Sequence, residues 1–171
     1  MRLLISSLDA LMNAVGKLCA VLVLCMLFNV FYDVVARYLF NNVSIGMQEL
    51  EWHFFALIFL MGSAYALPAK AHVRVDVIYE QLSPGKQRAI EVFGCLVFLM
   101  PFTLLTGYFG ISFAYEAFTL NEGSGDPGGL PFRWIIKSAI PLGFFLMFLA
   151  GLAHLLRNLF PQFDPKNEVN P

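Results

Sequence analysis

The sequence predicts an all-α integral membrane protein with four transmembrane helices plus a short amphipathic interfacial helix between the second and third. Composition is the first observation: 58% of the 171 residues are hydrophobic and 13% charged, against about 45–50% apolar and about 25% charged in a soluble domain. The second is the spacing of the charges, which leaves residues 18–32, 52–69, 92–115 and 138–156 free of Asp, Glu, Lys and Arg. A spanning helix needs about 17–25 such residues. Third, the connections are too short to form a separate soluble core, which takes about 50 residues or more. Residues 1–171 are therefore read as a single membrane domain, with spans near 15–40, 52–69, 88–116 and 135–157.

The first span is entered through an amphipathic stretch, with Leu8, Leu11, Met12 and Val15 on one face and Asp9, Asn13 and Lys17 on the other. Its charge-free gap is short, but the apolar pattern resumes beyond Asp33 through Phe40. Asn29, Asp33 and Arg37 repeat at a spacing of four near the outer end. Asp33 and Arg37 make a favourable i, i+4 pair with the acid N-terminal; the three form either a braced end of this bundle or a patch for another membrane subunit. The second span carries Gly62, Ala66 and Ala69 on one face beside Ser63, and the fourth carries Ala139, Gly143 and Ala150. Such small residues let membrane helices approach closely, within the chain or against a partner.

Between the second and third spans, His72 to Val77 alternate as a strand would, but a lone strand has nothing to pair with. Val75, Ile78, Tyr79 and Leu82 also share one helical face, which favours a short surface helix. Ser83 is expected to N-cap the next helix, with Pro84 in its first position. A helix from Pro84 to about Phe118 measures about 50 Å at about 1.5 Å per residue, more than the roughly 30 Å hydrocarbon core. It must tilt, kink near Pro101 or project. The connection from Asn121 to Pro131, N-E-G-S-G-D-P-G-G-L-P, reads as a flexible, acidic outer loop or as a docking surface. It is no phosphate cradle, because the lysine and the preceding strand of a P-loop are missing.

Orientation follows from the basic residues. Arg2, Lys17, Lys70, Arg74, Lys86, Arg88, Arg157 and Lys166 fall on one side of four spans; Arg37, Arg133 and Lys137 fall on the other. Eight against three places both termini in the cytoplasm, and Trp52 and Trp134 then mark the outer interface.

The formal net charge of -1 argues against nucleic acid as a partner and leaves membrane lipid and protein. No catalytic constellation is evident, so the chain is not expected to be an enzyme, and no cofactor is expected. His53 and His154 belong to opposite ends of their spans, about 30 Å apart, too far to share a haem iron. Glu49 and His53 at i, i+4 are two metal ligands without a third, and an interfacial hydrogen bond fits them better. Cys19, Cys25 and Cys95 show no metal or redox spacing and read as packing residues. Apart from His53 and His154, the four gaps hold no ionisable residue of the kind that couples transport to ions. A membrane subunit that holds or orients something else is the reading these residues favour. A haem- or quinone-associated anchor of a redox complex is the alternative.

The segments A-R-Y-L-F-N-N-V-S (36–44), Q-E-L-E-W (48–52) and A-H-V-R-V-D-V (71–77) are more specific. Together they resemble the small integral membrane, or Q, subunit of tripartite ATP-independent periplasmic (TRAP) transporters. In that family an R-Y-x-F segment ends the first helix, an acidic, tryptophan-containing segment opens the second, and H-[IV]-x-[VI]-D follows it. Arg37, Tyr38 and Phe40 match the first element, Glu49 and Glu51 the second, and His72, Val73, Val75 and Asp76 the third. Met47 and Gln48 stand where the family often has a tryptophan followed by an acid, and Trp52 comes later than usual.

The resemblance implies a bacterial inner-membrane subunit that braces a larger, sodium-coupled transport subunit. It further implies that a periplasmic substrate-binding protein delivers an organic acid without ATP. It nominates Asn29, Asp33, Arg37, Tyr38, Glu49, Glu51, Trp52, Gly62, His72 and Asp76 as motif and candidate partner-interface residues. Glu122 and Asp126 are the candidate docking residues for the binding protein.

Overall fold

The computed structural model describes residues 1–68, 79 and 81–163, and every described regular element is helical. The expected surface helix falls largely outside the described residues, as do His72, Asp76 and Ala69. The elements are α1 (Arg2–Phe40), α2 (Ile45–Ala66), α3 (Pro84–Gly94), a π-helical turn (Cys95–Leu99), α4 (Met100–Thr119), α5 (Trp134–Lys137) and α6 (Ala139–Leu159), with a 3-10 turn at Pro161–Phe163.

The amphipathic entry and the first apolar stretch form one 39-residue helix. It stops at Asn41, whose left-handed φ of 50° turns the chain out while the Asn42 N–H bonds back to the Ala36 carbonyl at 3.1 Å. Asparagine tolerates that conformation better than most residues and here does the work of a C-terminal glycine. Three residues later Ser44 caps α2, its hydroxyl accepting from the Met47 N–H at 3.4 Å.

Among the described residues, three helices are long and apolar enough to cross a membrane: Arg2–Phe40, Pro84–Thr119 and Trp134–Leu159. The 22 residues of α2 would reach about 33 Å. Its opening turns, however, carry Gln48, Glu49, Glu51 and His53, which dilute its apolar character.

The 36-residue run from Pro84 to Thr119 is helical throughout. Its irregularity is the π turn at Cys95–Leu99, closed by the Met100 N–H on the Cys95 carbonyl and ending just before Pro101. Proline has no N–H to offer Val97, so the normal ladder is already interrupted there, and a single wide turn absorbs the defect. At the start of the run Pro84 takes the first turn as expected. Ser83 has the extended backbone of a cap, but its side chain makes no capping hydrogen bond.

Helix α6 is the hub: α1, α2, α3 and α4 all pack on it, α1 also lies along α2, and α5 leads into it. Met12, Val15 and Cys19 of α1, Met61 and Ala64 of α2, and Leu146 and Ala150 of α6 form one buried cluster. Lipid is as apolar as these side chains, so close packing rather than escape from water must hold such helices together. The small residues make that packing close. A Cβ on Gly143 would lie 2.8 Å from Leu60 Cβ, and one on Gly110 would lie 3.0 Å from Ile140 Cγ2. The small-residue row of α6 is thus used inside the chain, with Ala139, Gly143 and Ala150 all buried. On α2, the position facing Gly62 is taken by Cys19 Sγ. Much of the apolar surface of α1 and α4 stays uncovered, including Phe28, Phe31, Phe102, Leu105 and Phe109.

Candidate functional site

Polar side chains gather at the two ends of the bundle, labelled outer where α1 finishes and inner where it begins, and the outer group contains most of the residues singled out by the sequence. Glu49 lies in the second turn of α2, ahead of the 52–69 span, and is only 7% exposed. Its carboxylate accepts from the Ser124 hydroxyl (2.5 Å to Oε1), the Leu130 backbone N–H (2.6 Å to Oε2) and the Arg133 guanidinium (3.3 Å to Oε1). An acid facing inward on an apolar helix must find such partners or give up its charge. The Ser124 hydroxyl first, then the Leu130 amide and Arg133, hold this carboxyl below the usual range, against the opposing effect of burial.

The 121–131 connection, which by sequence reads as a flexible loop or a docking surface, makes hydrogen bonds of its own. The Ser124 N–H bonds to the Leu130 carbonyl and the Gly129 N–H to the Asp126 carbonyl, each at 3.0 Å, and the Arg133 N–H bonds to the Glu122 carbonyl at 2.9 Å. Ser124 Oγ also accepts from the Asp126 N–H at 3.1 Å. The loop crosses the first turn of α2: a Cβ on Gly46 would sit 3.2 Å from the Gly128 carbonyl oxygen. Gly128, at φ +84°, makes the turn that a residue with a Cβ would resist. Of the loop glycines, Gly128 is required by its positive φ and Gly129 by close contact with Ser124, whereas Gly123 and Gly125 have open space around them. Glu122 is ion-paired with Lys137, whereas Asp126 is exposed at the tip.

Asn29 and Asp33 also turn inward, at 6% and 5% exposure. Asn29 Nδ2 donates to the Met47 carbonyl at 2.9 Å, tying α1 to the start of α2. Asp33 pairs with Arg37 at 2.5 Å, and the Arg37 side chain reaches outward. As contacts for another subunit, Asn29, Asp33 and Glu49 are covered by their own chain, while Arg37, Tyr38 and Trp52 remain exposed and Glu51 partly so. Arg37, Gln48, Glu51 and Trp52 line an open cleft of about 520 Å³, floored by Met26 and Phe55. His53 does not meet the Glu49 carboxylate; its Nδ1 lies 2.5 Å from the Glu49 backbone carbonyl. Among the described residues no group of three His, Cys, Asp or Glu side chains is placed to hold a metal.

The inner group escaped the sequence reading. Asp9 of α1 pairs with Arg157 of α6. One turn away, His154 Nε2 lies 2.8 Å from Glu91 of α3, whose other oxygen accepts from the Tyr79 hydroxyl at 2.9 Å. Gln87 Nε2 donates to the Tyr79 and Leu82 carbonyls at 3.0 and 3.1 Å. A signal was present: Asp9 and Glu91 are acids at the inner ends of their helices, and His154 and Arg157 stand three apart at the inner end of α6.

Comparison with known proteins bears on what such a braced bundle belongs to. The chain is 28% identical over 158 residues to the ectoine TRAP transporter small permease protein TeaB of Halomonas elongata, covering 91% of this chain and 76% of that protein. It is 29% identical over 127 residues to the C4-dicarboxylate TRAP transporter small permease protein DctQ of Pseudomonas aeruginosa, covering 65% of this chain and 57% of that one. Residues 26–160, from the outer half of α1 to the end of α6, match the family described as tripartite ATP-independent periplasmic transporters, DctQ component. On that match, the chain belongs to the DctQ family of TRAP transporter small permease subunits.

Proposed function

We propose that this protein is the small membrane subunit of a sodium-coupled, binding-protein-dependent secondary transporter for organic acids, and that it scaffolds the large transport subunit. The family match over residues 26–160 carries the proposal. The fold supports a bracing role: the buried acids Asp33 and Glu49 are engaged within the chain, and α1 and α4 leave broad apolar faces for a membrane neighbour or lipid. In this reading α2 is the fourth spanning helix, with spans near 15–40, 52–69, 88–116 and 135–157, and the 70–82 segment lies on the cytoplasmic surface. Both termini are cytoplasmic, a reading the eight-to-three distribution of basic residues supports. Arg37, Tyr38, Glu51 and Trp52 contact the large subunit, and the 121–131 loop faces the periplasm, where the binding protein arrives. The substrate is set by those two partners.

The test is reconstitution. Proteoliposomes holding this chain and its large subunit should take up substrate only with a sodium gradient and the cognate binding protein, and omission of this chain should abolish uptake. Sodium-driven uptake by this chain alone, or full uptake without it, would overturn the proposal. A cysteine at Ser124, but not at Ser83, should react with an impermeant thiol reagent in intact cells; the reverse pattern inverts the topology.

A further inference from the structure

We infer that Glu49 is a positioning residue that presets the 121–131 loop as a rigid docking edge, with the Asp126 carboxylate presented to a cationic patch on the binding protein. The inference rests on the proposed transporter reading and specifies how its outer surface works. Three observations carry it.

The first is how completely the Glu49 carboxylate is engaged: a hydroxyl, a backbone amide and a guanidinium from residues 124–133 converge on one buried acid of another helix. The Leu130 N–H can reach Oε2 only when the loop has its folded course, so the contact reads backbone conformation and not merely charge. Second, the loop is closed on itself by the Ser124–Leu130 and Gly129–Asp126 backbone bonds and is seated on α2 at Gly46. Substitution at Gly129 is also blocked, because an added Cβ would collide with Ser124 and approach Glu49. The third is the charge left over. Lys137 pairs with Glu122 and Arg133 reaches Glu49, whereas Asp126 stands exposed at the tip beside Gly125, Pro127 and Gly128. A tip of small residues with one outward carboxylate admits close approach by a basic surface. A preset loop needs no ordering when the partner arrives, which lowers the cost of association.

The purified complex of both membrane subunits in liposomes provides the test, with uptake followed against binding-protein concentration at low and moderate salt. Amide exchange over 121–131 is measured on the same preparations. Glu49→Gln keeps the size but replaces one oxygen by a donor; should it assemble poorly, Ser124→Ala removes the hydroxyl that donates to Glu49 and accepts from the Asp126 N–H. Both should speed exchange in the loop and raise the half-saturating concentration by about threefold or more while leaving the maximal rate unchanged. Asp126→Lys should leave exchange unchanged and raise the half-saturating concentration at low salt more than at moderate salt, as a rim charge does.

Unchanged loop exchange in both Glu49→Gln and Ser124→Ala would overturn the positioning role. Faster exchange with an unchanged half-saturating concentration, in the presence of an Asp126→Lys effect, would show that the loop docks without needing to be preset, and would also overturn it. No effect of any variant on the half-saturating concentration would remove the loop from docking altogether. Wild-type uptake that ignores the binding protein would instead strike at the transporter reading.

Discussion

At the outer end a single acid, Glu49, is surrounded by a hydroxyl, a backbone amide and a guanidinium from one loop and its exit. At the inner end two acids, Asp9 and Glu91, each meet a side chain of α6, Arg157 and His154, one turn apart. Both arrangements solve the same problem, an acid at the end of an apolar helix, but they fix different things. Side chain to side chain pairs tie one helix to another and tolerate small sliding. A carboxylate that accepts from a backbone N–H specifies the course of a loop. The comparison teaches that the inner cluster sets how helices lie together and the outer cluster sets the shape of a surface.

The largest effect is expected where the acid with most partners is removed. Glu49→Ala strands three donors, so the melting temperature of the purified protein should fall by several degrees, and amide exchange should rise over 121–131 with the inner ends of α1 and α6 little changed. Glu49→Gln should fall between this variant and wild type, since one acceptor oxygen remains. If the inner end loosens equally, the two ends are not independent and the comparison breaks.

Asp9→Ala is the counterpart, and its cost should be about 1.5–3 kcal/mol, typical of a hydrogen bond to a charged group. Faster exchange should appear at the start of α1 and the end of α6, with the loop unaffected. Protection lost in the loop would again join the ends.

Acid should then separate them. Because its contacts lower the Glu49 pKa in the folded state, the stabilisation they give is complete above the unfolded value of about 4.3 and fades as pH falls from there through the folded value. Thermal stability of wild type should therefore drop with acidification across that range by more than that of Glu49→Gln, which lacks the titrating group. Parallel curves would remove Glu49 from the pH dependence. The smallest effect belongs to His154→Gln: an amide can still donate to Glu91, so the loss should stay below about 1 kcal/mol, checked by thermal melting beside the Asp9 variant.

How much of this was legible in the sequence depends on how far apart the interacting residues are. Helices could be read from charge-free gaps, and the weak point of the third long helix from Pro101, because both are local. The position of Asp33 beside Arg37 was also local. The partners of Glu49 lie 75 to 84 residues away, and nothing in N-E-G-S-G-D-P-G-G-L-P says that Gly128 is needed for a positive φ and Gly129 for contact. Composition therefore pointed to flexibility and gave no hint of the contacts with one distant carboxylate. The requirement that an acid facing inward be satisfied was a usable clue, with Ser124 and Arg133 the polar groups at matching depth. The inner pairs were missed for the same reason: Asp9 and Arg157 are 148 residues apart.

The π turn has a consequence for helical phase. In α4 the buried residues Thr103, Gly110, Ala114 and Ala117 recur every seven, four and three positions, but Cys95, across the wide turn, stands eight before Thr103. One residue of an α-helix turns the chain by about 100°, so the wide turn works as an inserted tooth that brings two differently timed faces to bear on the same neighbour. Below it Cys95 reaches the Gly151 carbonyl of α6, and above it Gly110 lies against Ile140 and Pro141. Deleting one residue from 95–99 would restore a regular helix and swing one half out of phase with the other, turning large side chains toward α6 where glycine now fits. The alignment of the two halves on α6 is thus stored in the count of residues between them as well as in their identity.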